Sequence, residues 1–176
     1  MVELVLIDID GVMTDGTKHY GPDGLTAYKK FYDRDFTAIK KFQASDVKVV
    51  FISGDPWNLG IARARNIPFY SARGKCKKDL GSRIINDLHT CAAQTAYIGD
   101  DIFDIDLLDY VELGFCPSDA DTEVKRLCTK KSRVLESCGG RGCIAEMYEI
   151  IKDRSSQGMQ QLDMKKFHDY DRKETF

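Results

Sequence analysis

Short apolar runs recur along the chain, and stretches with helical spacing lie between most of them. The runs have the length of strands and few polar positions, which is typical of strands buried on both faces of a sheet. They span 4–7, 47–52, 67–70, 95–98 and 111–115. Helical spacing of apolar residues is found in 36–42, 59–64, 80–88, 102–108, 120–127 and 144–151. This alternation predicts βαβ units, and therefore an α/β fold with a doubly wound parallel sheet.

Two segments depart from the alternation. The sequence GPDG at 21–24 is a strong turn signal, and the flanking runs 17–20 and 25–28 have the character of short strands. We therefore expect a β-hairpin flap at about 14–32 and an α/β domain over 1–153 that carries no cap domain. The remaining residues, 154–176, are polar with charges of both signs. They are expected to form a loose end, or an arm that orders on a partner.

Composition excludes several classes of partner. The chain has 176 residues, a net charge of −2 and a pI near 5.9, so it offers no electrostatic basis for binding nucleic acid or an anionic membrane. No apolar run approaches the roughly 18 residues of a membrane span, and the N-terminal stretch lacks the basic lead of a secretion signal. The six cysteines form no CxxC pair, which favours free thiols in a reducing cytoplasm. A disulfide between Cys138 and Cys143 is the lesser alternative.

Two carboxylates follow the first predicted strand, one residue apart, as Asp8 and Asp10. Residues two apart in a strand face the same side, and open α/β sheets bind ligands at the carboxyl ends of their strands. Converging carboxylates repel each other unless a cation such as Mg²⁺ lies between them. The pair therefore indicates a candidate metal site with one nucleophile and one proton donor, although a solvated loop would also explain it.

Further polar groups follow later strands. Ser53 and Gly54 end the second run, where a hydroxyl and backbone N–H groups can hold a phosphate oxygen. Lysines at 75, 77 and 78 stand at a predicted helix start, where one could offset phosphate charge or all could be solvated. Asp100 follows the strand 95–98 and can complete the cation site. Asp101 and Asp104 lie in the next helical turn, where a role in the helix dipole competes with a functional one.

The order of these groups along the chain resembles the haloacid dehalogenase superfamily of phosphohydrolases. The stretches DIDGVMTDG, KKFYDRD, YIGDDIFD and CGGRG resemble one branch of it, and the resemblance covers about residues 1–152. That branch comprises the small, capless 3-deoxy-D-manno-octulosonate 8-phosphate phosphatases and their nonulosonate 9-phosphate relatives. The resemblance implies a Rossmann-like fold and an Mg²⁺-dependent hydrolase that acts on a small sugar-acid phosphate.

The resemblance also implies residue roles. Asp8 would attack phosphorus, and Asp10 would act as the acid and then the base. Mg²⁺ would be held by the carboxylates of Asp8 and Asp100 and by the backbone carbonyl of Asp10. Ser53, Gly54 and one lysine would hold the phosphoryl group, which fits a reaction that depends on positioning and positive charge. We favour Lys77 over Lys78, because the helix can then bury its apolar face while Lys77 points at the site.

The substrate-reading residues depart from the branch's usual pattern. Asp55 stands where the octulosonate phosphatases usually have an arginine. Arg34 lies within the KKFYDRD stretch, whose sequence differs from the one usual in that branch. Arg141 is either a substrate contact or a simple turn residue. Members of the family are tetramers in which one subunit's hairpin packs at the next subunit's site, so the resemblance implies a homotetramer.

Two other classes remain as alternatives. The first is a non-catalytic tetramerisation module like the one that ends the CMP-sialic acid synthetases of animals. The second is a phospho-accepting receiver domain, in which the acidic pair and the acceptor occur in a different order along the chain. The retention of Asp8, Asp10, Ser53 and Asp100 counts against the first alternative, and the hairpin counts against the second.

Overall fold

Five parallel strands form the centre of the molecule. The computed structural model describes residues 1–130, 133–154 and 159–174. The described residues contain the strands β1 Leu4–Ile7, β2 His19–Tyr20, β3 Thr26–Tyr28, β4 Lys48–Ser53, β5 Phe69–Ser71, β6 Thr95–Ile98 and β7 Leu113–Phe115. The main sheet has the order β5-β4-β1-β6-β7, with every neighbouring pair parallel. The strand that carries Asp8 at its end is therefore central, between β4 and β6.

Helices cover both faces of this sheet. They are α1 Asp33–Ala44, α2 Leu59–Ala64, α3 Lys77–Asp87, α4 Ile105–Tyr110, α5 Thr122–Thr129, α6 Cys143–Asp153 and α7 Met164–Arg172. Val5 and Ile7 of β1 pack in a core with α1, α2 and α6, whereas Leu4 and Leu6 pack in a second core with α3, α4 and α5. Alternate side chains of one strand thus face opposite layers, which confirms the predicted doubly wound fold.

The predicted strands and helices are present, with boundaries that shift by a few residues. β1 and β6 match the prediction, while β5 and β7 each start two residues later than expected. The hairpin is also present, but its strands are only two and three residues long, with an irregular register after His19. Its turn is closed by a bond from the Gly21 N–H to the Leu25 carbonyl, and the His19 and Tyr28 rings stack with centroids 4.2 Å apart.

The C-terminal segment differs from the expectation of a loose end or an arm ordered by a partner. Its described part contains α7, which packs against α1 of the same chain. Asp163 caps the helix by accepting the N–H groups of Lys165 and Lys166. Lys40 and Asp171 form an ion pair at 2.6 Å across the contact. Polar composition therefore misled the prediction, because α7 is fixed largely through charged side chains rather than through a buried apolar face.

The CGGRG loop packs against the turn that follows β1. A Cβ on Gly139 would lie 2.0 Å from the Gly11 carbonyl oxygen, so only glycine allows this approach. Asp35 is fully buried and accepts the N–H groups of Gly142, Ile144 and Ala145 at the start of α6. Burial raises the pKa of Asp35 to about 6, although the three donors act in the opposite direction. Helix α1 thus holds the loop that supports the candidate site.

None of the helices in the described part of the chain combines the length and the apolar character that crossing a bilayer requires.

Candidate active site

The carboxyl ends of β1, β4 and β6 meet at the predicted functional site. Asp8 directly follows β1, Ser53 ends β4, and Asp100 lies two residues beyond β6. They line a cavity of about 900 Å³. The cavity is further lined by Asp10, Gly11, Gly16, Lys18, Thr26, Gly54, Asp55, Pro56, Ala72, Arg73, Gly74, Lys75, Lys77, Asp101 and Phe103. Every predicted catalytic, metal-binding and phosphate-binding residue is therefore found at one edge of the sheet.

Lys77 lies between two buried carboxylates. Its Nζ is 2.9 Å from Asp8 Oδ2 and 2.5 Å from Asp104 Oδ1. Burial by itself would lower the pKa of Lys77, but the two carboxylates raise it above its usual range. Burial and the neighbouring Asp104 raise the pKa of Asp8, and Lys77 partly offsets them. Lys77 is the first residue of α3, whereas the Nζ of Lys78 lies over the Tyr110 ring, 5.8 Å from its centroid.

Asp104 holds this part of the site together. Its Oδ1 accepts from Lys77 and from the Tyr97 hydroxyl, and its Oδ2 accepts from the backbone N–H groups of Asp100 and Asp101 at 3.0 Å each. Both oxygens therefore have two donors. Asp104 also has the alternative role at the helix start, because its Oδ2 accepts the Asp101 N–H in a capping box with Asp101, while its buried Oδ1 is turned toward Lys77. Asp101 caps the following turn by accepting from the Ile102 N–H.

Asp100, unlike Asp104, has a carboxylate whose hydrogen bonding is incomplete. Its Oδ1 is buried and has no hydrogen-bond partner among the described residues. Burial, followed by the charge of Asp104, raises the pKa of Asp100 to about 7. Gly11 has a φ of +83°, and a Cβ there would lie 1.9 Å from Asp100 Oδ2. The chain thus leaves room for a carboxylate that lacks a partner of its own.

The carboxylates that the structure brings together differ in part from the predicted ligand set. One oxygen from each of Asp8, Asp100 and Asp104 lies within 4.8 Å of the others. Because Asp104 already accepts four hydrogen bonds, Asp8 and Asp100 are the better ligands for a hard divalent cation. The two carboxylate oxygens of Asp10 already accept from Lys29 and Asn58, so Asp10 offers its backbone carbonyl as the possible ligand. The orphaned oxygen of Asp100 fits such a cation, because buried polar groups otherwise find partners.

A second buried lysine, Lys29, holds Asp10. Lys29 directly follows β3 of the hairpin, and its Nζ is 2.5 Å from Asp10 Oδ1, 2.9 Å from Asp55 Oδ2 and 2.9 Å from Asn58 Oδ1. The Asn58 side chain in turn donates to Asp10 Oδ2 at 2.9 Å and to Ser53 Oγ at 2.8 Å. The hairpin, β1 and β4 are thereby joined beneath the cavity.

Ser53 and Asp55 take part in the same network. Ser53 Oγ accepts from Asn58 and from the Asp55 N–H, so its own O–H has no acceptor among the described side chains. Asp55 forms ion pairs with Lys29 and Lys18, which hold the pKa of its carboxyl below the usual range even though burial raises it. Gly54 faces open space in the cavity wall. Asp55 is therefore an anchor for two lysines as well as a residue of the cavity.

Two predicted substrate residues lie elsewhere. Arg34 and Arg141 are exposed, and neither lines the cavity. Three residues of the site, Lys29, Asn58 and Tyr97, were not predicted from the sequence. Lys29 lies inside the KKFYDRD stretch, but no local pattern marks which of its two lysines is buried. Tyr97 occupies an ordinary strand position, and Asn58 follows a proline in a turn, so neither stood out.

Comparisons with known proteins identify the family of the chain. No protein-family model matches the chain. It is 32% identical over 152 residues to the 3-deoxy-D-manno-octulosonate 8-phosphate phosphatase KdsC of Haemophilus influenzae, with 85% of this chain and 82% of that protein covered. The chain belongs to the octulosonate 8-phosphate phosphatase-like branch of the haloacid dehalogenase superfamily. KdsC of Escherichia coli K12 is 28% identical over the same length, with 85% of this chain and 79% of that protein covered.

Solved structures extend the similarity of this phosphatase branch to three dimensions. The cobalt-bound phosphatase of Haemophilus influenzae superimposes with a TM-score of 0.77 at 33% identity, covering 86% of this chain and 88% of that one. The octulosonate 8-phosphate phosphatase of Moraxella catarrhalis, in complex with magnesium, phosphate and the KDO molecule, gives 0.78 at 21% identity and 86% coverage of both chains. At that identity the second comparison shows the shared fold alone.

Proposed function

We propose that this chain is an Mg²⁺-dependent phosphomonoesterase that hydrolyses a small sugar-acid phosphate of the octulosonate 8-phosphate or nonulosonate 9-phosphate type. The observation that carries the proposal is the environment of Asp8. Its buried carboxylate lies beside Lys77 and within 4.8 Å of a carboxylate oxygen of Asp100, and both aspartates line an open cavity. Asp100 Oδ1 has no hydrogen-bond partner among the described residues. The family relationship supports the same reaction class.

The carboxylates of Asp8 and Asp100 and the carbonyl of Asp10 would hold Mg²⁺. When bound, the ion supplies positive charge against the phosphoryl oxygens. Asp104 is saturated by its four donors and keeps Lys77 and the Asp100 backbone in position. The metal-binding role thus falls to the groups whose hydrogen bonding is incomplete.

Asp8 is the nucleophile in the reaction that these side chains support. Its oxygen that is not bound to Lys77 attacks phosphorus, and the bond between phosphorus and the sugar oxygen breaks. Lys77 and Ser53 each have an N–H or O–H without an acceptor among the described residues, and these can donate to the phosphoryl oxygens. Positioning and positive charge are the main requirements of phosphoryl transfer.

Asp10 moves the protons. It gives a proton to the leaving sugar oxygen, and it later takes one from the water that attacks the aspartyl-phosphate and releases inorganic phosphate. Lys29 and Asn58 each bond one oxygen of this carboxylate, which fixes its orientation toward the cavity. The hairpin thus acts on the chemistry through Lys29.

We further propose that the chain assembles as a homotetramer and is located in the cytoplasm. The hairpin exposes Tyr20, Leu25 and Tyr28, and exposed apolar residues of this size favour a contact with another subunit. All six cysteines are free, which agrees with a reducing compartment. The alternative of a non-catalytic tetramerisation module would use the same hairpin. It gives no reason for the assembled cluster of Asp8, Lys77 and Asp100.

The test is release of phosphate from p-nitrophenyl phosphate by the full chain with Mg²⁺. Replacement of Asp8 by Asn removes the nucleophile, so we expect activity to fall by at least about a thousandfold. Chelation should also abolish activity, and Mg²⁺ should restore it. Asp87→Asn, at an exposed position on α3, is the matched control and should keep full activity. A wild-type protein without phosphatase activity would favour the assembly module, and an active Asp8→Asn protein would refute the assignment of the nucleophile.

A further inference from the structure

Two cations at the cavity lack the ion pairs that the others have. Lys77 is paired with Asp8 and Asp104, and Lys18 is paired with Asp55. Arg73 and Lys75 also line the cavity, but neither forms an ion pair with a carboxylate of the described chain. The Nζ of Lys75 donates to the Ser71 carbonyl at 3.3 Å, a neutral partner that leaves the charge uncompensated, so both positive charges are available to a ligand.

The turn that carries Arg73 and Lys75 is tied to the phosphate-binding side of the cavity. It directly follows β5, which pairs with β4, and the Ala72 N–H donates to the Ser53 carbonyl at 2.9 Å. Gly74 has a φ of +67°, which glycine adopts without strain, and the Lys75 N–H closes the turn on the Ala72 carbonyl at 3.0 Å. The two cations thus stand on an anchored turn next to Ser53.

The phosphoryl group already has partners within the proposed function. Lys77, Ser53 and the metal ion would neutralise it, so Arg73 and Lys75 are not needed for that charge. A guanidinium matches a carboxylate in a two-pronged geometry, and a lysine beside it adds a point charge. A cavity of about 900 Å³ has room for the carbon chain of an acid as well as for the phosphate.

We propose that Arg73 and Lys75 bind the carboxylate of the substrate and so select phosphomonoesters of sugar acids over those of neutral sugars. This proposal rests on the proposed phosphatase function and names the residues that read the acid. It assigns recognition of the acid to the turn after β5, whereas Arg34 and Arg141, the predicted substrate contacts, lie outside the cavity of the described chain.

The test compares 6-phosphogluconate with sorbitol 6-phosphate as inhibitors of p-nitrophenyl phosphate hydrolysis. The two compounds share a six-carbon chain and a phosphate and differ at carbon 1, which is a carboxylate in one and an alcohol in the other. Inhibition reports binding whether or not either compound is turned over. We expect the wild-type inhibition constant for the acid to be at least about tenfold lower, which is within the range of a charge-assisted contact.

Arg73→Gln should reduce this preference severalfold, and Arg73→Gln combined with Lys75→Gln should bring the ratio close to one. Arg83→Gln, at an exposed position on α3, removes the same charge away from the cavity and should keep the wild-type ratio. Equal inhibition constants in the wild type, or a preference that survives the double replacement, would overturn the proposal. Failure of the phosphatase function itself would show differently, as the absence of p-nitrophenyl phosphate hydrolysis.

Discussion

Two buried lysines at the site, Lys77 and Lys29, have similar partners but differ in the number of N–H donors that remain unused. Lys77 donates to the two carboxylates of Asp8 and Asp104, and its side chain is 10% exposed. Lys29 donates to Asp10, Asp55 and Asn58, and its side chain is 0% exposed. An ammonium group has three N–H donors. Lys77 therefore has one donor that no described residue accepts, whereas all three donors of Lys29 are in use.

This difference separates a ligand-binding lysine from a structural one. Both lysines compensate a pair of carboxylates that would be costly to bury alone. Only Lys77 can donate a hydrogen bond to a phosphoryl oxygen without losing one of the hydrogen bonds that it already makes. Lys29 also lies 5.3 Å from the centroid of the Trp57 ring, a further contact that a moving side chain would lose. The number of unused donors is thus a better guide to function here than charge or burial.

Of the two lysine replacements, Lys77→Met should have the larger effect on activity. It removes the positive charge and the free donor that face the phosphoryl group, so we expect kcat to fall by about a thousandfold, or about 4 kcal/mol of transition-state stabilisation. Steady-state hydrolysis of p-nitrophenyl phosphate measures the loss. Lys78→Met is the matched control, because Lys78 lies beside Tyr110. A loss of less than tenfold would show that Lys77 is not a phosphoryl ligand.

Replacement of Lys29 by Met should instead act first on stability. It leaves the carboxylates of Asp10 and Asp55 without their shared cation, although Asp55 keeps Lys18 and Asp10 keeps Asn58. Because both carboxylates are partly exposed, we expect a loss of about 3 kcal/mol, the lower end of the range for a broken buried pair. Denaturant unfolding of the variant should report this loss. Lys30→Met provides the control, since Lys30 is the exposed neighbour in the same segment. If the variant were as stable as the wild type, the structural role assigned to Lys29 would be wrong.

Asp35 sharpens the comparison, because it is a buried carboxylate held by backbone N–H groups rather than by lysine. Its pKa of about 6 lies above the ordinary value of 3.8, so its favourable contribution is complete below about pH 4 and is lost as the pH rises through 6. The free energy of unfolding of the wild type, relative to Asp35→Asn, should therefore fall by about 2–3 kcal/mol between pH 4 and pH 7. Parallel denaturant titrations across this range measure the difference. A constant difference would mean that Asp35 has the same pKa in the folded and unfolded chains.

The fold and the centre of the site could be predicted because their signals are local. The apolar run before Asp8 defines a buried strand, and the helical spacing after Lys77 points that lysine toward the sheet edge. Parallel topology then brings Ser53 and Asp100 to the same place. These inferences need only the periodicity of apolar residues and the rule that the carboxyl ends of parallel strands meet at one edge of the sheet.

The parts that could not be predicted depend on long-range contacts. Lys29 differs from Lys30 only in which of them reaches Asp10, 19 residues earlier in the chain. The orientation of Asp104 depends on Tyr97 and Lys77, and α7 is fixed by ion pairs with residues more than 100 positions away. The expectation for Arg34 and Arg141 came from a resemblance rather than from geometry, and the folded chain leaves both outside the cavity.

The attachment of Lys29 has a consequence for how substrate and product pass in and out. A hairpin that swung away as a hinged lid would have to pull a fully enclosed ammonium group away from Asp10, Asp55 and Asn58 at once. The base of the hairpin is therefore fixed in place and does not open as a lid. Turnover in this protein should depend on diffusion past a rigid entrance, and only the tip beyond β2 and β3 is left to adjust to what enters.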